Sequence, residues 1–353
     1  MGLRIAMIAP IWVRVPPTSY GGIELIVGLL ADGLVDRGHD VTLFATADAR
    51  TKAKIEAVFD RPHPDKLGKT APEIFHVGTA YEKIRAGGFD IVHDHTFSAP
   101  VFGPTVRTPV LATLHGAVDD INYQYYRRFR DAVYYNTVSE NQRAALPELR
   151  YVPTVYNTID FAAYYVEPRK HDYLLCLGRL CPEKGAHLAI EAAKRLHVPL
   201  VLAGKVDPGK DERYFREAVE PHIDGRLVTF LGEVDAERKR RLMAEARAFL
   251  LPIQWPEPFG LVMLEAMAAG TPVVAFDRGA APEVVVPGVS GFIARDLNEM
   301  TEFIGRVDRL DPYRVRECAE NAFPCGRMVD GYVDNYLHIA RVEDRLGRAL
   351  TTV

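Results

Sequence analysis

The stretch Trp255–Val274, WPEPFGLVMLEAMAAGTPVV, decides how the chain is read. It holds two carboxylates, Glu257 and Glu265, and Pro258 directly follows the first. Proline is favoured at the first position of a helix, so the pattern predicts a helix with Glu257 at its cap and Glu265 two turns inside. At 1.5 Å per residue the two carboxyls are expected roughly 12 Å apart along the axis. The amides of Phe259, Gly260 and Leu261 then belong to the first turn, where unpaired N–H groups and the helix dipole favour an anion. Gly260 leaves that turn open to close approach by a ligand. The helix runs apolar through MLEAMAA, stops at Gly270, and Thr271-Pro272 leads into a buried strand, VVAF. Glu265 has almost no polar company among Met263, Leu264, Ala266, Met267, Ala268 and Ala269. An unpaired carboxylate there is expensive, so a ligand-binding role is preferred to that of a solvated helix residue.

Outward from this stretch, strand-like and helix-like runs alternate almost from end to end. The first half offers strands Leu3–Ala9, Asp40–Ala45, Asp90–His93, Pro109–Leu114, Val133–Val138 and Tyr151–Tyr156, with helices Gly22–Arg37 and Gly78–Ala86. The run Thr51–Lys69 has no clear period. The pattern breaks around Asp160–Asp172 and resumes with strands Tyr173–Leu177, Leu200–Ala203, Leu227–Leu231, Ala248–Pro252, Val273–Phe276 and Gly291–Ala294. Its helices include Ala186–Leu196, Arg213–Val219, Ala236–Ala246, Leu297–Leu310 and Tyr313–Asn321, and a last amphipathic run, Met328–Leu346, has no strand after it. Such alternation predicts an α/β chain of two doubly wound, Rossmann-like domains with a ligand cleft between them. The expected domains are residues 1–165 and 166–326, with 327–353 as a C-terminal helix.

Composition narrows the classes. The 353 residues suffice for two domains, and 48% hydrophobic with 25% charged residues are ordinary globular values. A net charge of −4 argues against a general nucleic-acid binder. No apolar run approaches the ~20 residues of a membrane span. The start MGLRIAMIAP reads as a first strand rather than a signal peptide, and Ala6 stands where a myristoylation signal needs Ser or Thr. Cys176, Cys181, Cys318 and Cys325 form no CxxC pair, so reduced thiols and a cytoplasmic location are expected.

Other candidate residues lie in the turns. The first βα turn, APIWVRVPPTSYGGIELI, is long and proline-rich, and it lacks the GxGxxG of a dinucleotide site. Its Gly21-Gly22 pair either offers amides to a phosphate or sugar, or simply opens a helix. His93 and His95 end one strand and His115 another, at the carboxyl ends where parallel sheets bind ligands. His115, before Gly116, is the candidate for a substrate contact. His93 and His95 share a face and could hold zinc, but with no third ligand in view they read as satisfied strand-end histidines. Arg179 and Lys184 stand between Gly178 and Gly185 in the turn of YLLCLGRLCPEKGAHLAIEA. Two cations there suit a diphosphate, against the plainer reading of a solvated turn. INYQYYRRFRD, 121–131, fits an acceptor site, a weak peripheral contact with an anionic membrane, or a half-buried helix with a wet basic face.

With these residues assembled, the chain resembles the retaining GT-B glycosyltransferases of family 4 (glycosyl transferases group 1). GRLCPEKG, EPFGLVMLEAMAAGTPVV with its E-x7-E spacing, and RGAAPEVVVPGVSGF carry the resemblance, in that order. It implies that Glu265 holds the ribose of a nucleotide-sugar donor and that Glu257, with the amides of Phe259, Gly260 and Leu261, holds the transferred sugar. It implies that Arg179 and Lys184 neutralise the diphosphate, that Gly21 and Gly22 approach the phosphates and acceptor, and that His115 lies near the reacting sugar. The implied reaction is front-face displacement with retention, requiring no metal and no other cofactor. The donor would be UDP-, GDP- or ADP-linked, and the acceptor a sugar, a lipid-linked or a small molecule. The last helix would cross back onto the first domain. The chain has Asn157-Thr158-Ile159-Asp160 where the family usually reads N-G-(I/V)-D, and Thr lacks glycine's left-handed conformations. The alternatives are a GT-B sugar phosphorylase or sucrose-synthase-like enzyme and a non-catalytic sugar-binding protein; a dehydrogenase lacks its GxGxxG.

Overall fold

A computed structural model describes residues 2–18, 21–64, 69–118 and 120–350. The chain divides into two compact units, Met1–Thr158 together with Cys325–Val353, and Ile159–Pro324. The division falls between Thr158 and Ile159, ahead of the expected linker near residue 165, and the last helix belongs to the first unit.

The first unit is built on six parallel strands: β1 (Arg4–Ile8), β2 (Asp40–Ala45), β3 (Lys54–Ala57), β4 (Ile91–Asp94), β5 (Val110–Leu114) and β6 (Tyr134–Thr137). Their order is β3-β2-β1-β4-β5-β6, so the chain reverses its winding direction at β1, which pairs with β2 on one side and β4 on the other. Runs such as IAMI and VLATL are apolar at successive positions because both sheet faces are covered. The strand expected over Tyr151–Tyr156 does not form; Tyr151 makes one isolated bridge to Tyr135. After Val152 N donates to Tyr135 O at 3.0 Å, the next bond to β6 comes from Val155 N, to Thr137 O at 3.2 Å, rather than from Thr154, so the ladder is out of register. In its place β3 forms from the stretch without a clear period. It is a half-exposed edge whose charges are paired, Lys54 with Asp40 at 2.8 Å and Glu56 with Lys83. Charged residues are a common protection for sheet edges and hide the strand from a hydrophobicity reading.

The helix Cys325–Leu350 packs on the first unit's Gly22–Asp36 helix. The contact is close because Gly33 has no side chain: a Cβ there would lie 2.5 Å from Val329 Cγ2. One turn on, Tyr332 and Tyr336 are fully buried and bring hydroxyls to the sheet. Tyr336 Oη lies 2.7 Å from His93 Nδ1, Thr113 Oγ1 lies 2.7 Å from His93 Nε2, and Asn136 Nδ2 donates to Tyr332 Oη at 3.1 Å. His93, on β4, is thus a satisfied core histidine.

In the second unit all six expected strands form: β7 (Leu174–Leu177), β8 (Leu200–Ala203), β9 (Val228–Phe230), β10 (Ala248–Leu251), β11 (Val273–Phe276) and β12 (Gly291–Ala294). The order β12-β11-β10-β7-β8-β9 repeats the winding of the first unit. Both units are therefore Rossmann-like. The helix of the deciding stretch occupies Leu261–Ala268. It ends as expected at Gly270, whose φ of +71° allows Gly270 N to donate to Met267 O and Thr271 N to Ala266 O, both at 2.9 Å. Arg316 secures this end: its guanidinium donates to Ala268 O at 3.0 Å, Tyr164 O at 2.7 Å and Phe161 O at 2.9 Å. Among the described residues no helix is long and apolar enough to cross a membrane. The only non-glycine residue with positive φ among them is His197, so Thr158 does without glycine's conformations.

Gly33→Ala should destabilise the first unit by about 1–3 kcal/mol through overpacking against Val329. Adding Val329→Ala should return part of the loss. A double-mutant cycle in urea measures this, and strictly additive losses would show that the two positions do not touch.

Candidate active site

The turn after β7 is shaped by two backbone approaches that only glycine permits. A Cβ on Gly204 would lie 1.8 Å from Gly178 O, and one on Gly185, at φ +71°, would lie 2.0 Å from Pro252 O. Gly185 thus presses the Pro182–Lys184 turn against the segment after β10, where Gln254 N donates to Glu183 O at 2.7 Å. This contact brings two expected site residues together. Lys184 Nζ donates to Glu257 Oε2 at 2.6 Å, and Trp255 Nε1 donates to the same oxygen at 2.7 Å. The Lys184 ammonium also lies 5.4 Å from the Trp255 ring centroid. Only 23% of the lysine and 11% of the glutamate side chain is exposed.

The helix does not begin at Pro258 as the sequence suggested. Gly260 takes φ +83° as the residue before the helix, which starts at Leu261. Glu257 and Pro258 are loop residues, and Phe259 is buried edge-on against Phe323. The axial count of roughly 12 Å between the carboxylates therefore lapses, since its premise was one continuous helix. Glu257 is held instead by its backbone: its carbonyl accepts from Ala280 N at 2.9 Å, and a Cβ on Gly279 would come within 2.2 Å of its nitrogen.

Glu265 is buried and has a cation waiting. Lys239 Nζ, from the helix Ala236–Glu245, donates to its Oε1 at 2.6 Å, and the Tyr164 hydroxyl hydrogen-bonds the same carboxylate. Burial, then the neighbouring Glu265 charge, raises the Tyr164 hydroxyl well above the usual phenol range. The sequence reading missed Lys239, Tyr164 and Trp255. Lys239 stands in the basic run RKRR, 238–241, where sequence alone does not single out the residue that turns inward.

Arg179 does not share a carboxylate with Lys184. Its Nε lies 3.5 Å from Asp211 Oδ2 and its Nη1 4.0 Å from Asp207 Oδ2. Cys181, Glu183 and Asp211 bring ligand atoms within 4.8 Å of one another. Lys210 already bonds Glu183 at 2.5 Å and holds that carboxyl down to about 2, Arg179 faces Asp211, and burial raises the Cys181 thiol. Both carboxylates of this group thus already face cations, Lys210 on Glu183 and Arg179 on Asp211.

In the first unit Gly21 has φ +150° and precedes the first helix. A Cβ there would meet Pro17 Cβ at 2.9 Å and Glu24 Oε2 at 3.2 Å, so the Gly21-Gly22 entry is a tight one. Glu24 is another missed residue: its buried carboxyl is pushed up to about 7 by desolvation. Ser19 and Tyr20 of this loop, and Asp119 near the next helix, lie outside the described residues. His115 is half-buried directly after β5, with Nε2 2.9 Å from His95 Nδ1. Gln142 Nε2 donates to Leu114 O at 3.0 Å and Gly116 O at 2.8 Å, clamping the backbone on both sides of His115. Of the segment 121–131, Asp120–Arg128 is helical, with Tyr126 buried, Tyr125 stacked on Phe97 at 4.4 Å, and Ile121, Arg127 and Arg128 exposed.

Two family models tile this chain. The Glycosyltransferase Family 4 model matches residues 20–162, and the Glycosyl transferases group 1 model matches residues 161–317. Spore coat protein SA of Bacillus subtilis is 26% identical, over 95% of this chain and 99% of that protein. The phosphatidyl-myo-inositol mannosyltransferase of Mycolicibacterium smegmatis is 28% identical, over 82% of this chain and 80% of its own. The crystal structure of a glycosyltransferase involved in avilamycin A biosynthesis superimposes with a TM-score of 0.70 at 26% identity, covering 96% of this chain and 98% of that one. The chain belongs to the family-4 GT-B glycosyltransferases, and it is a transferase.

Glu24 supplies a pH test. Its folded-state value near 7 lies above its ordinary 4.5, so between these pH values the folded protein holds a proton that the unfolded chain has released. Stability from this group is therefore lost as pH rises through that window. Relative to wild type, Glu24→Gln should gain about 3 kcal/mol between pH 4.5 and 7. Urea titrations of both proteins across this range measure the difference, and a pH-independent difference would remove the burial account.

Proposed function

We propose that the second unit binds a nucleotide-sugar donor, UDP-, GDP- or ADP-linked, and that the enzyme moves its sugar to an acceptor hydroxyl with retention of anomeric configuration. The observation that carries this reading is that each glutamate of the deciding stretch accepts a hydrogen bond from its own lysine, with acceptor capacity left over. A carboxylate has about four lone-pair sites. Glu257 uses only Oε2 for Lys184 and Trp255 in the contacts above, leaving Oε1 for a hydroxyl of the transferred sugar. Glu265 can accept from a ribose hydroxyl without releasing Lys239.

In this reading neither glutamate transfers a proton. The bond from the anomeric carbon to the diphosphate oxygen breaks, the bond to the acceptor oxygen forms on the same face, and the departing diphosphate takes the acceptor's proton. Arg179 and Lys184 stabilise the charge that grows on the diphosphate, the work a metal ion does in other phosphate sites, so no metal is required. His115 and the Gly21-Gly22 entry serve the reacting sugar, the phosphates and the acceptor. A reducing, cytoplasmic setting belongs to the same reading, in keeping with four cysteines that form no CxxC pair.

Nucleoside diphosphate release from a panel of nucleotide sugars, with a cell extract as acceptor source, tests the reading. Glu265→Ala and Lys184→Ala should each lower release at least tenfold, and chelator should leave the wild type unchanged. A thermal-shift screen of UDP, GDP and ADP identifies the base: a nucleotide at a hundred times its Kd adds about 2.7 kcal/mol of stability. Wild-type rates in both variants would overturn the assignment.

A further inference from the structure

His115 and His95 are joined by one hydrogen bond, and that bond needs exactly one proton. His95 Nδ1 and His115 Nε2 lie 2.9 Å apart with the rings stacked at 26°. A neutral imidazole carries its proton on one nitrogen and leaves the other bare. Two arrangements satisfy the bond. Either His95 holds Nδ1–H and donates to a bare His115 Nε2, or His115 holds Nε2–H and donates to a bare His95 Nδ1.

The far side of His95 distinguishes them. His95 Nε2 is buried and has no hydrogen-bond partner among the described residues. The nearest ring, His93 at a centroid distance of 4.0 Å, has both nitrogens committed, to Tyr336 and Thr113. In the second arrangement His95 would bury an N–H with nothing to receive it, while in the first it buries only a bare nitrogen. Orphaned buried N–H groups are the rarer of the two, so the network selects the first. We propose that His95 is a positioning residue that fixes His115 as the Nδ1–H tautomer, so that His115 presents a hydrogen-bond donor, not a base, to the bound substrate. The proposal rests on the reading that His115 meets substrate. His115 Nδ1 makes no hydrogen bond among the described residues, and Gln142 fixes the backbone on either side of it. Burial lowers the pKa of both rings, that of His115 to about 4, which keeps the pair neutral near pH 7. An oxygen without a free proton, such as a phosphate or a sugar ring oxygen, is then the partner that His115 suits, and a hydroxyl can bind it only by accepting.

Long-range proton–nitrogen NMR of the full chain labelled with ¹⁵N-histidine reads the tautomers directly and needs no substrate. His115 and His95 are both expected as Nδ1–H forms at pH 7, assigned by loss of their signals in His115→Gln and His95→Asn. An Nε2–H form of His115 in the wild type would overturn the proposal whatever reaction the enzyme catalyses. In His95→Phe, which cannot donate, His115 should revert to Nε2–H, and transfer should fall at least tenfold in kcat with the nucleotide thermal shift retained. His95→Asn, whose amide can donate from nearly the same place, should restore both the tautomer and most of the rate. Unchanged transfer in His95→Phe would also overturn it. A correct tautomer combined with wild-type activity in Glu265→Ala and Lys184→Ala would instead place the fault in the donor reading.

Discussion

The ion pair between Lys184 and Glu257 is the contact on which the second unit's site depends. With so little of either side chain exposed, each charge would be expensive alone, and the cheap escape would be to neutralise. Paired, each gives the other a hydrogen-bonded counterpart. The geometry that lets them meet is set by backbone: Gly185 against Pro252, Gly279 against Glu257, and a helix that starts only at Leu261. Had the helix begun at Pro258, Glu257 would be a helix cap and its direction would be dictated by the axis. As a loop residue it can turn to the lysine. Glu265, inside the helix, solves the same electrostatic problem with a different lysine, so the deciding stretch carries two paired carboxylates that do not compete for one cation.

The sequence made the architecture legible where burial is two-sided. All the second-unit strands are short apolar runs between turn residues, and such runs have few other uses in an alternating chain. β3 was hidden because an edge strand is wet, and LysIleGluAla looks like a helix or loop as readily as a strand. Tyr151–Tyr156 has a strand-like apolar pattern, but its bonds to β6 come from Val152 and Val155, three residues apart where a ladder needs two. Pro258 and Gly260 gave opposing local signals two residues apart. The left-handed backbone at Gly260 prevailed, which no count of helix-start residues reveals.

Within the site, the glutamates and the turn cations were legible as chemistry, but their partners were not. Lys184 and Glu257 are 73 residues apart, and Lys239 and Glu265 are 26 apart, so each pairing is a product of sheet order. The histidines show the same limit more finely. His93 and His95 are equivalent on paper, two positions apart on one face of a strand. The neighbouring strand and the last helix satisfy the first completely and leave the second with one nitrogen bonded and one not.

The return of Cys325–Leu350 to the first unit also sets an order of assembly. The second unit is one continuous stretch of chain, whereas the first is interrupted by it. On a ribosome the second unit can therefore be complete while the first still lacks its closing helix. Until that helix emerges, His93 and Asn136 are polar groups on a sheet face that has not yet received Tyr336 and Tyr332. The first unit therefore cannot be completed before the second has been synthesised. A segment synthesised after the second unit is the one that finishes the fold of the first.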